Sequence, residues 1–309
     1  MLDVLMLDEP AAAAKDEAEV IPDELTDPIC RVGDVFLLGE HRLVCGDATD
    51  AGSYELLLQD EKARAVITDV PFNVKISGNV SGLGKKKHGE FIQWSGEKSD
   101  EEFFDFNRTL FTLWSAVALP GSLIATFIDF RSVATVINAA TDAGLTLINL
   151  AVWDKGSGGM GAYLRSAHEL FPIFCNGERL ACNNIMLGKH GRDRSNIWGY
   201  PGANRVGSSA AAALKDHPTP KNVEMIEDAI LDVTKTSDIV LDPFLGSGTS
   251  LIAAEKTRRR CFGIELDPKF MDVSIARWEA LTGNTAIHEV SELTFADLCE
   301  TRLSDTIDQ

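Results

Sequence analysis

Short apolar strands alternate with helix-spaced stretches along most of this chain, and that alternation restricts its fold more than any other feature. In the N-terminal half, residues 65–68 and 123–128 have the apolar runs of buried strands, and apolar residues recur at helical spacing over 103–118. In the C-terminal half, strand-like runs at 239–241 and 261–265 flank another helical stretch. Strands and helices in this order predict βαβ units and therefore an α/β fold with a doubly wound, mostly parallel sheet.

Both ends of the chain and one internal stretch break this rhythm. Residues 1–30 are rich in Ala, Asp, Glu and Pro without a sustained period, so we expect an acidic linker or lead-in. Residues 31–285 are predicted to form one folded domain, and residues 286–309 an acidic C-terminal tail. Within the domain, residues 154–216 carry many Gly, Asn, Ser and Arg residues and are predicted to be an insertion.

The net charge of −18 argues at first against a nucleic-acid partner, because phosphate binding needs clustered basic side chains. The acids are concentrated at the chain ends, however: residues 1–50 hold 13 acids and 3 bases, and residues 289–309 hold 6 acids and 1 base. The insertion holds 8 bases against 5 acids. This distribution leaves nucleic acid open as a partner, although a solvated basic loop explains the same excess.

Membrane proteins and metal-centred proteins are not expected classes. No apolar run reaches the roughly 18 residues that a membrane-spanning helix needs, and no basic segment precedes the short apolar stretch at the N-terminus. We therefore predict a cytoplasmic protein without a membrane partner. The six cysteines form no Cys-x-x-Cys pair, which argues against a zinc site or a disulfide framework, and no metal is predicted.

A glycine turn follows the first strand of the C-terminal half and opens the next helix. Gly246 and Gly248 either let the backbone approach a ligand closely or form a tight structural turn. A phosphate-binding P-loop needs a lysine where Thr249 stands, and a dinucleotide fingerprint needs Gly or Ala where Leu251 stands. The pattern that remains is typical of a nucleoside ligand without a diphosphate. Glu265, at the end of the next strand, is placed to bind its ribose hydroxyls.

A second motif ends the strand at 65–68. Asp69, Val70, Pro71 and Phe72 present a carboxylate, a backbone bend and an aromatic ring at the sheet edge where α/β proteins bind ligands. A proline turn that merely ends the strand is the alternative. The motif suits methylation of an exocyclic amino group, whose lone pair is delocalised into the base ring. A carboxylate and a backbone carbonyl can hold both amino hydrogens, and the ring can stack on a base taken out of its duplex.

The order of these motifs resembles the permuted β class of amino DNA methyltransferases that use S-adenosylmethionine (SAM). In that class the catalytic motif comes first, the target-recognition insertion second and the glycine turn last. The resemblance runs from about Arg31 to Gly283 and implies a Rossmann-like methyltransferase fold, with the insertion as the target-recognition region. Details at 158–161, 165–169 and 196–198 are most similar to phage and prophage methylases that carry a ParB-like nuclease domain.

The resemblance also implies roles for individual residues. Residues 69–72 would form the catalytic motif, in which Val70 replaces the family's proline. The residues implied to bind SAM are Asp47, His217, Thr219, Lys221, Asp242, Phe244, Gly246, Gly248, Thr249 and Glu265. Those implied to contact DNA are Lys85, Lys86, Lys87, Lys189, Arg192 and Arg194. At a second departure from the family, Asn222 stands where proline is usual, at the start of a predicted helix.

The reaction that the resemblance implies is transfer of a methyl group from SAM to the N6 amino group of adenine in DNA. Aspartate in the first motif position fits adenine N6 better than cytosine N4, for which the family more often has serine. The alternatives are N4-cytosine methylation, an RNA or protein acceptor, and a catalytically decayed SAM or DNA binder with Val70 in its motif. The implied partners are double-stranded DNA, a second copy in a homodimer, and a protein with a ParB-like nuclease domain.

Overall fold

The structure is a computed structural model, and it describes residues 20–22, 27–73, 99–156, 158, 163–185, 193–202 and 221–307. In this part of the chain ten strands form one sheet: β1 (Val35–Leu38), β2 (His41–Cys45), β3 (Ala63–Asp69), β4 (Ala118–Phe127), β5 (Thr146–Asp154), β6 (His168–Cys175), β7 (Ile197–Gly199), β8 (Ile239–Asp242), β9 (Arg260–Glu265) and β10 (Ile287–His288). The helices of the same residues are α1 (Ala51–Leu58), α2 (Asp100–Val117), α3 (Val133–Asp142), α4 (Val223–Val233), α5 (Thr249–Thr257), α6 (Pro268–Thr282) and α7 (Phe295–Ile307). Among these described helices, none is both long and apolar enough to cross a membrane.

The sheet is packed on both faces, as the continuous apolar runs of its central strands predict. In β3, Ala65 and Ile67 pack into the core on one face, and Val66 packs into the core on the other. Helices α4, α5, α6 and α7 contribute to the first core, and α1, α2 and α3 contribute to the second. The chain therefore has a three-layer α/β structure, and the predicted doubly wound fold is confirmed.

Side-chain caps begin several of the described helices, α2 and α4 among them. Ser99 opens α2 with a capping box: its hydroxyl accepts from the Glu102 N–H at 3.2 Å, and the Glu102 carboxylate accepts from the Ser99 N–H at 2.8 Å. At α4, the side chain of Asn222 accepts from the Met225 N–H at 2.9 Å. The residue that replaces the family's proline at 222 is thus an N-cap that fixes where α4 begins.

The strand order creates a switch point in the middle of the sheet. The strands lie in the order β10-β1-β2-β9-β8-β3-β4-β6-β5-β7, and β2, β9, β8, β3 and β4 run parallel. β3 and β8 are neighbours at the centre of the sheet. From β3 the chain crosses to β4 on one side of this pair, and from β8 it crosses to β9 on the other side. Ligands of doubly wound proteins bind at the carboxyl ends of the strands at such a point. Strand β6 runs antiparallel to β4 and β5, so it begins at this same edge.

The predicted insertion at 154–216 is only partly an insertion. Residues 168–175 form β6, which lies in the sheet between β4 and β5, and residues 197–199 add β7 beside β5. Phe171 and Phe174 of β6 are buried. The polar, glycine-rich residues on either side of β6 obscure this strand in the composition of the whole stretch.

The described residues near both chain ends also differ from the predicted acidic lead-in and tail. Residues 286–309 contain β10, which pairs with β1, and α7, which packs against the core. Arg302 on α7 forms a bidentate ion pair with Asp34, at 2.5 and 2.9 Å. At the other end, Ile29 and Cys30 are buried, and their N–H groups donate to one buried carboxylate. Composition does not reveal these contacts, because bonds between distant residues leave no local pattern.

Candidate active site

Two carboxylates lie on neighbouring strands at the switch point. Asp69 ends β3, and Asp242 ends β8, the parallel strand beside it. The hydroxyl of Thr68 donates to Oδ1 of Asp242 at 2.6 Å and so ties the two strand ends together. The fold therefore brings the catalytic motif and the glycine turn, which are far apart in the sequence, to one edge of the sheet.

Val70 stands where the methyltransferase class that the sequence resembles has proline, and the surrounding residues accommodate it. Its N–H donates to Oγ1 of Thr126 on β4 at 3.2 Å, and its side chain is buried. The additional N–H that valine introduces is thus paired. Phe72 is partly buried against the cores on both faces, and its carbonyl accepts from the Ser132 hydroxyl at 3.2 Å. These contacts fix the backbone that follows the Asp69 carboxylate.

Lys221 lies against Asp69. Its Nζ donates to Oδ2 of Asp69 at 2.5 Å and is 3.1 Å from Oε2 of Glu169. The other oxygen of Glu169, Oε1, accepts from Nζ of Lys155 at 2.5 Å. The sequence predicts Lys221 as a cofactor ligand, but the structure places its ammonium group on the carboxylate of Asp69.

Sequence patterns do not mark Glu169 or Lys155 as site residues. Both fall in the predicted insertion, but Lys155 directly follows β5 and Glu169 is the second residue of β6. One rule could identify these two residues from the sequence. A strand that runs antiparallel to its neighbours begins at the sheet edge where those neighbours end. Charged residues at its start therefore lie near those that follow the parallel strands. Applying this rule requires knowing that residues 168–175 belong to the sheet.

The two oxygens of Asp69 have different environments. Oδ2 is bonded to Lys221, whereas Oδ1 is buried and has no hydrogen-bond partner in the described part of the chain. Burial raises the pKa of Asp69 to about 6; Lys221 opposes this increase, and Glu169 adds to it. A buried carboxylate oxygen without a partner is suited to accept a hydrogen bond from a ligand.

The glycine turn connects β8 to α5 and favours glycine at two positions. Gly246 and Gly248 have φ angles of +54° and +78°, in the left-handed region. A Cβ on Gly246 would meet no described atom within 4 Å, whereas one on Gly248 would lie 2.9 Å from the Ser274 hydroxyl oxygen. Phe244 is partly buried beside the core, and the buried Thr249 begins α5. The turn is thus packed at Gly248 and open at Gly246.

Buried carboxylates brace this turn. Asp242 accepts from the Phe244 N–H at 3.1 Å. Glu265, at the end of β9, accepts from the Gly246 N–H through Oε2 at 2.7 Å and from the Asp267 N–H through Oε1 at 2.8 Å. Burial raises the pKa of Glu265 to about 7, and these two backbone hydrogen bonds oppose the increase. Each Glu265 oxygen retains a lone pair for a further donor, such as a ligand hydroxyl.

Asp47 lies beside Glu265, because β2 ends next to β9. Cys45 and Glu265 are in register, and the Gly46 N–H donates to the Glu265 carbonyl at 2.9 Å. Oδ1 of Asp47 accepts from the N–H and the hydroxyl of Thr49, both at 2.8 Å. Asp47, Glu265 and Asp242 thus lie in this spatial order at the ends of the neighbouring strands β2, β9 and β8. This set fits a nucleoside that offers hydroxyl donors and carries positive charge, as SAM does.

The remaining predicted residues fall into two groups. Lys85, Lys86, Lys87, Lys189, Arg192, His217 and Thr219 lie outside the described residues. Arg194, predicted to contact DNA, is instead bound within the protein. Its guanidinium is 2.8 Å from Asp228 and 2.7 Å from Asp232, both on α4, and 5.0 Å from the ring centroid of Trp198. These contacts make Arg194 an anchor between the β7 segment and α4.

Sequence comparisons find relatives over most of the chain. A family model described as DNA methylase matches residues 63–276. The type II methyltransferase M2.DpnII of Streptococcus pneumoniae is 25% identical over 231 residues, which cover 72% of this chain and 85% of that protein. The type II methyltransferase M2.LlaDCHI of Lactococcus lactis subsp. cremoris is 25% identical over 240 residues, which cover 74% of this chain and 87% of that protein.

Solved structures share the fold. The complex of M1.HpyAVI with SAM aligns with a TM-score of 0.52 and 17% identity, over 76% of this chain and 98% of that one. The PvuII DNA methyltransferase, described as cytosine-N4-specific, aligns with a TM-score of 0.59 and 14% identity, over 91% of this chain and 94% of that one. At these identities the likeness concerns the fold.

Proposed function

Since the chain belongs to the DNA methylase family, we propose that it transfers a methyl group from SAM to the N6 amino group of adenine in double-stranded DNA. The chain is a DNA methyltransferase of the N6/N4 family, and SAM is its cofactor. The choice of base and the roles of individual residues are the proposal. The observation that carries it is Oδ1 of Asp69, which is buried at the switch point without a partner in the described residues.

Two acceptors on the catalytic motif hold the target amino group. Oδ1 of Asp69 accepts one amino hydrogen, and the backbone carbonyl of Val70 accepts the other. With both hydrogens held, the nitrogen lone pair is localised and turned toward the methyl group, as productive alignment requires. Bound SAM would supply this methyl group as an electrophile: its S–CH3 bond breaks as the N–CH3 bond forms, S-adenosylhomocysteine leaves, and the amino proton that is lost passes to Oδ1 of Asp69. Phe72 stacks on the target base after the base leaves the duplex.

Residues at the ends of β2, β9 and β8 would hold the cofactor. Glu265 accepts hydrogen bonds from the ribose hydroxyls, and Asp47 contacts the adenine. Gly246 lets the cofactor approach the backbone of the turn, and Asp242 holds the turn in shape. The rest of the proposed cofactor set follows from the family resemblance: Phe244, Gly248, Thr249, His217 and Thr219.

The motif residue at position 69 supports adenine through the family resemblance, because enzymes of this family that methylate cytosine N4 more often have serine where Asp69 stands. Val70 gives little support to a decayed enzyme, since its N–H is paired with Thr126 and its side chain is buried. We retain DNA contacts at Lys85–Lys87, Lys189 and Arg192 as proposals. A homodimer and a partner with a ParB-like nuclease domain are proposals of the same kind.

Nucleoside mass spectrometry tests the proposed reaction. Unmethylated duplex DNA is incubated with the protein and isotope-labelled SAM, beside an Asp69→Ala variant. Labelled N6-methyladenine that disappears in the variant supports the proposal, and labelled N4-methylcytosine corrects the base. If calorimetry shows SAM binding but no labelled base forms in DNA, the proposal is overturned. Labelled RNA or protein in the same assay would then identify the acceptor.

A further inference from the structure

Four buried or partly buried charges alternate in sign beside the catalytic motif. Lys155, Glu169, Lys221 and Asp69 form a chain in which successive charged atoms are 2.5, 3.1 and 2.5 Å apart. They come from four parts of the fold: the end of β5, the start of β6, the residue before the α4 N-cap, and the end of β3. The sheet topology itself assembles this chain, because all four positions lie at one edge.

Lys221 is enclosed by aromatic rings as well as by carboxylates. Its side chain is 8% exposed, and Nζ is 5.1 Å from the ring centroid of Phe127, 5.6 Å from that of Phe72 and 6.0 Å from that of Trp153. Burying an ammonium group carries a desolvation penalty, and ion pairs of this kind are often replaceable by apolar residues without loss of stability. Stability alone therefore gives little reason for a lysine here.

The chain of charges ends asymmetrically on Asp69. Lys221 engages Oδ2, and Oδ1 is left buried without a partner in the described residues. A carboxylate held through one oxygen cannot rotate freely, so the direction of the other oxygen is set. We propose that Lys221 is a positioning residue for Asp69, with Glu169 and Lys155 holding Lys221, so that Oδ1 faces the amino group of the target base. This inference rests on the proposed function, because it names what orients its acceptor.

The charges that face Asp69 act on it with opposite signs. Lys221, next to α4, lowers the pKa of Asp69, whereas Glu169 on β6 and Asp242 on β8 raise it. Loss of the Lys221 charge should therefore raise the pH at which Asp69 is protonated, and loss of the Glu169 charge should lower it. Any nearby pair of opposite charges produces such shifts, so positioning also requires that Lys221→Met transfer the methyl group more slowly on the alkaline plateau, where Asp69 is ionised in both proteins.

The test combines a titration with a rate. Variants Lys221→Met and Glu169→Gln are titrated by carbon-13 NMR of labelled aspartate, with the Asp69 signal assigned from Asp69→Asn. Single-turnover methyl transfer to DNA is followed over the same pH range. Lys221→Met should move the Asp69 midpoint up by at least about one pH unit, and Glu169→Gln should move it down. The acid limb of the rate should follow each midpoint, since only the ionised carboxylate is a pure acceptor.

Matched controls lie at the other end of β3. Lys62→Met and Glu61→Gln remove the same charges from the residues just before that strand and should leave the Asp69 midpoint in place. Lys221→Arg, which keeps the charge, should leave the midpoint near that of the wild type. If Lys221→Met does not fold, the Glu169→Gln variant by itself still tests the direction in which the Asp69 midpoint moves, because glutamine retains the size of the side chain.

The outcomes separate this inference from the proposed function. If the wild type methylates DNA but the two midpoints do not move or move together, or if Lys221→Met keeps the wild-type rate on the alkaline plateau, the positioning role is overturned. Weaker SAM binding in Lys221→Met with an unchanged Asp69 midpoint overturns it too, and assigns Lys221 to the cofactor. If the midpoints move in opposite directions but the wild type labels no DNA base, the contacts of Lys221 and Glu169 with Asp69 are supported and the proposed function fails.

Discussion

Individual residues carry the chemistry, and the sequence predicts some of them better than others. Asp69 and the glycines of the turn belong to short local patterns, so they can be identified without knowing the fold. Lys221 contacts a residue 152 positions away, and its partner Glu169 stands within a stretch that resembles an insertion. A side chain's partner across the sheet depends on strand order and register, which local patterns do not contain.

Val70→Pro tests whether the departure from the family motif matters. The change removes one neutral hydrogen bond, from the Val70 N–H to Thr126, and reduces the freedom of the unfolded chain. These effects oppose each other, so the free energy of unfolding should change by less than about 1 kcal/mol. The rate of methyl transfer should change little, because the Val70 carbonyl is retained. A large gain in rate would mean instead that valine has disabled the wild-type protein.

Glu265 should make SAM binding depend on pH. Its raised pKa, about 7, means that it takes up a proton as the pH falls through this value and then accepts less well from the ribose hydroxyls. The dissociation constant for SAM, measured by calorimetry, should therefore increase by up to about tenfold for each pH unit below 7. Glu265→Gln cannot titrate, so its weaker binding should be flat over this range. A wild-type profile as flat as that of the variant contradicts the assignment.

At the scale of elements, the regular alternation of strands and helices is predictable, and the strand that interrupts it is not. The apolar periods of β3, α2, β4, β8 and β9 follow directly from the sequence, because each element buries a continuous face. Strand β6 lies within a polar stretch and pairs antiparallel to β4 and β5. Its position in the sheet also supplies Glu169 to the site, so the missed strand and the missed site residue have one cause.

Arg194→Met distinguishes an anchoring role from DNA contact. The variant leaves Asp232, whose side chain is 8% exposed, without its ion pair to Arg194. Breaking a buried pair by removing one partner should lower the free energy of unfolding by about 3 kcal/mol in urea denaturation. Arg108→Met, which removes an ion-paired arginine with a 48% exposed side chain, should change it by less than about 0.5 kcal/mol. If Arg194→Met keeps the stability of the wild type but binds DNA more weakly, Arg194 contacts DNA, as the sequence predicts.

At the scale of the whole molecule, the C-terminal elements are joined to the first strands of the sheet. Strand β10 extends the sheet beyond β1, and α7 returns Arg302 to Asp34, 268 residues earlier in the sequence. His288 of β10 also lies 3.3 Å from the same carboxylate. The acidic composition of these segments predicts solvated tails because it counts charges without their partners. Long-range ion pairs of this kind become visible only when the topology is known.

The Arg302–Asp34 pair should contribute stability that depends on pH. Burial raises the pKa of Asp34, but the hydrogen bonds from Arg302 and the Arg31 N–H outweigh it and hold the pKa below its usual value. A carboxylate with a lowered folded pKa contributes stability above its unfolded pKa, near 4, and loses it as the pH falls through the folded value. Arg302→Met should therefore lower the free energy of unfolding by about 2 kcal/mol or more at neutral pH.

That difference between Arg302→Met and wild type should shrink in acid, as urea denaturation at several pH values would show. Arg131→Met is the control, because the Arg131 side chain, which pairs with Asp129, is 56% exposed, against 14% for Arg302. If the difference in the free energy of unfolding stays constant down to the lowest pH at which the protein is folded, α7 is held by packing alone.

Single-turnover methyl transfer by Asp69→Asn, measured together with SAM affinity, tests the central claim most directly. Asparagine keeps the volume of the side chain but removes its charge and replaces one acceptor oxygen with a donor. We expect SAM affinity close to that of the wild type and a rate of base methylation lower by about 100-fold or more. A variant that binds SAM and methylates DNA at the wild-type rate would contradict the claim that Oδ1 of Asp69 holds the target amino group.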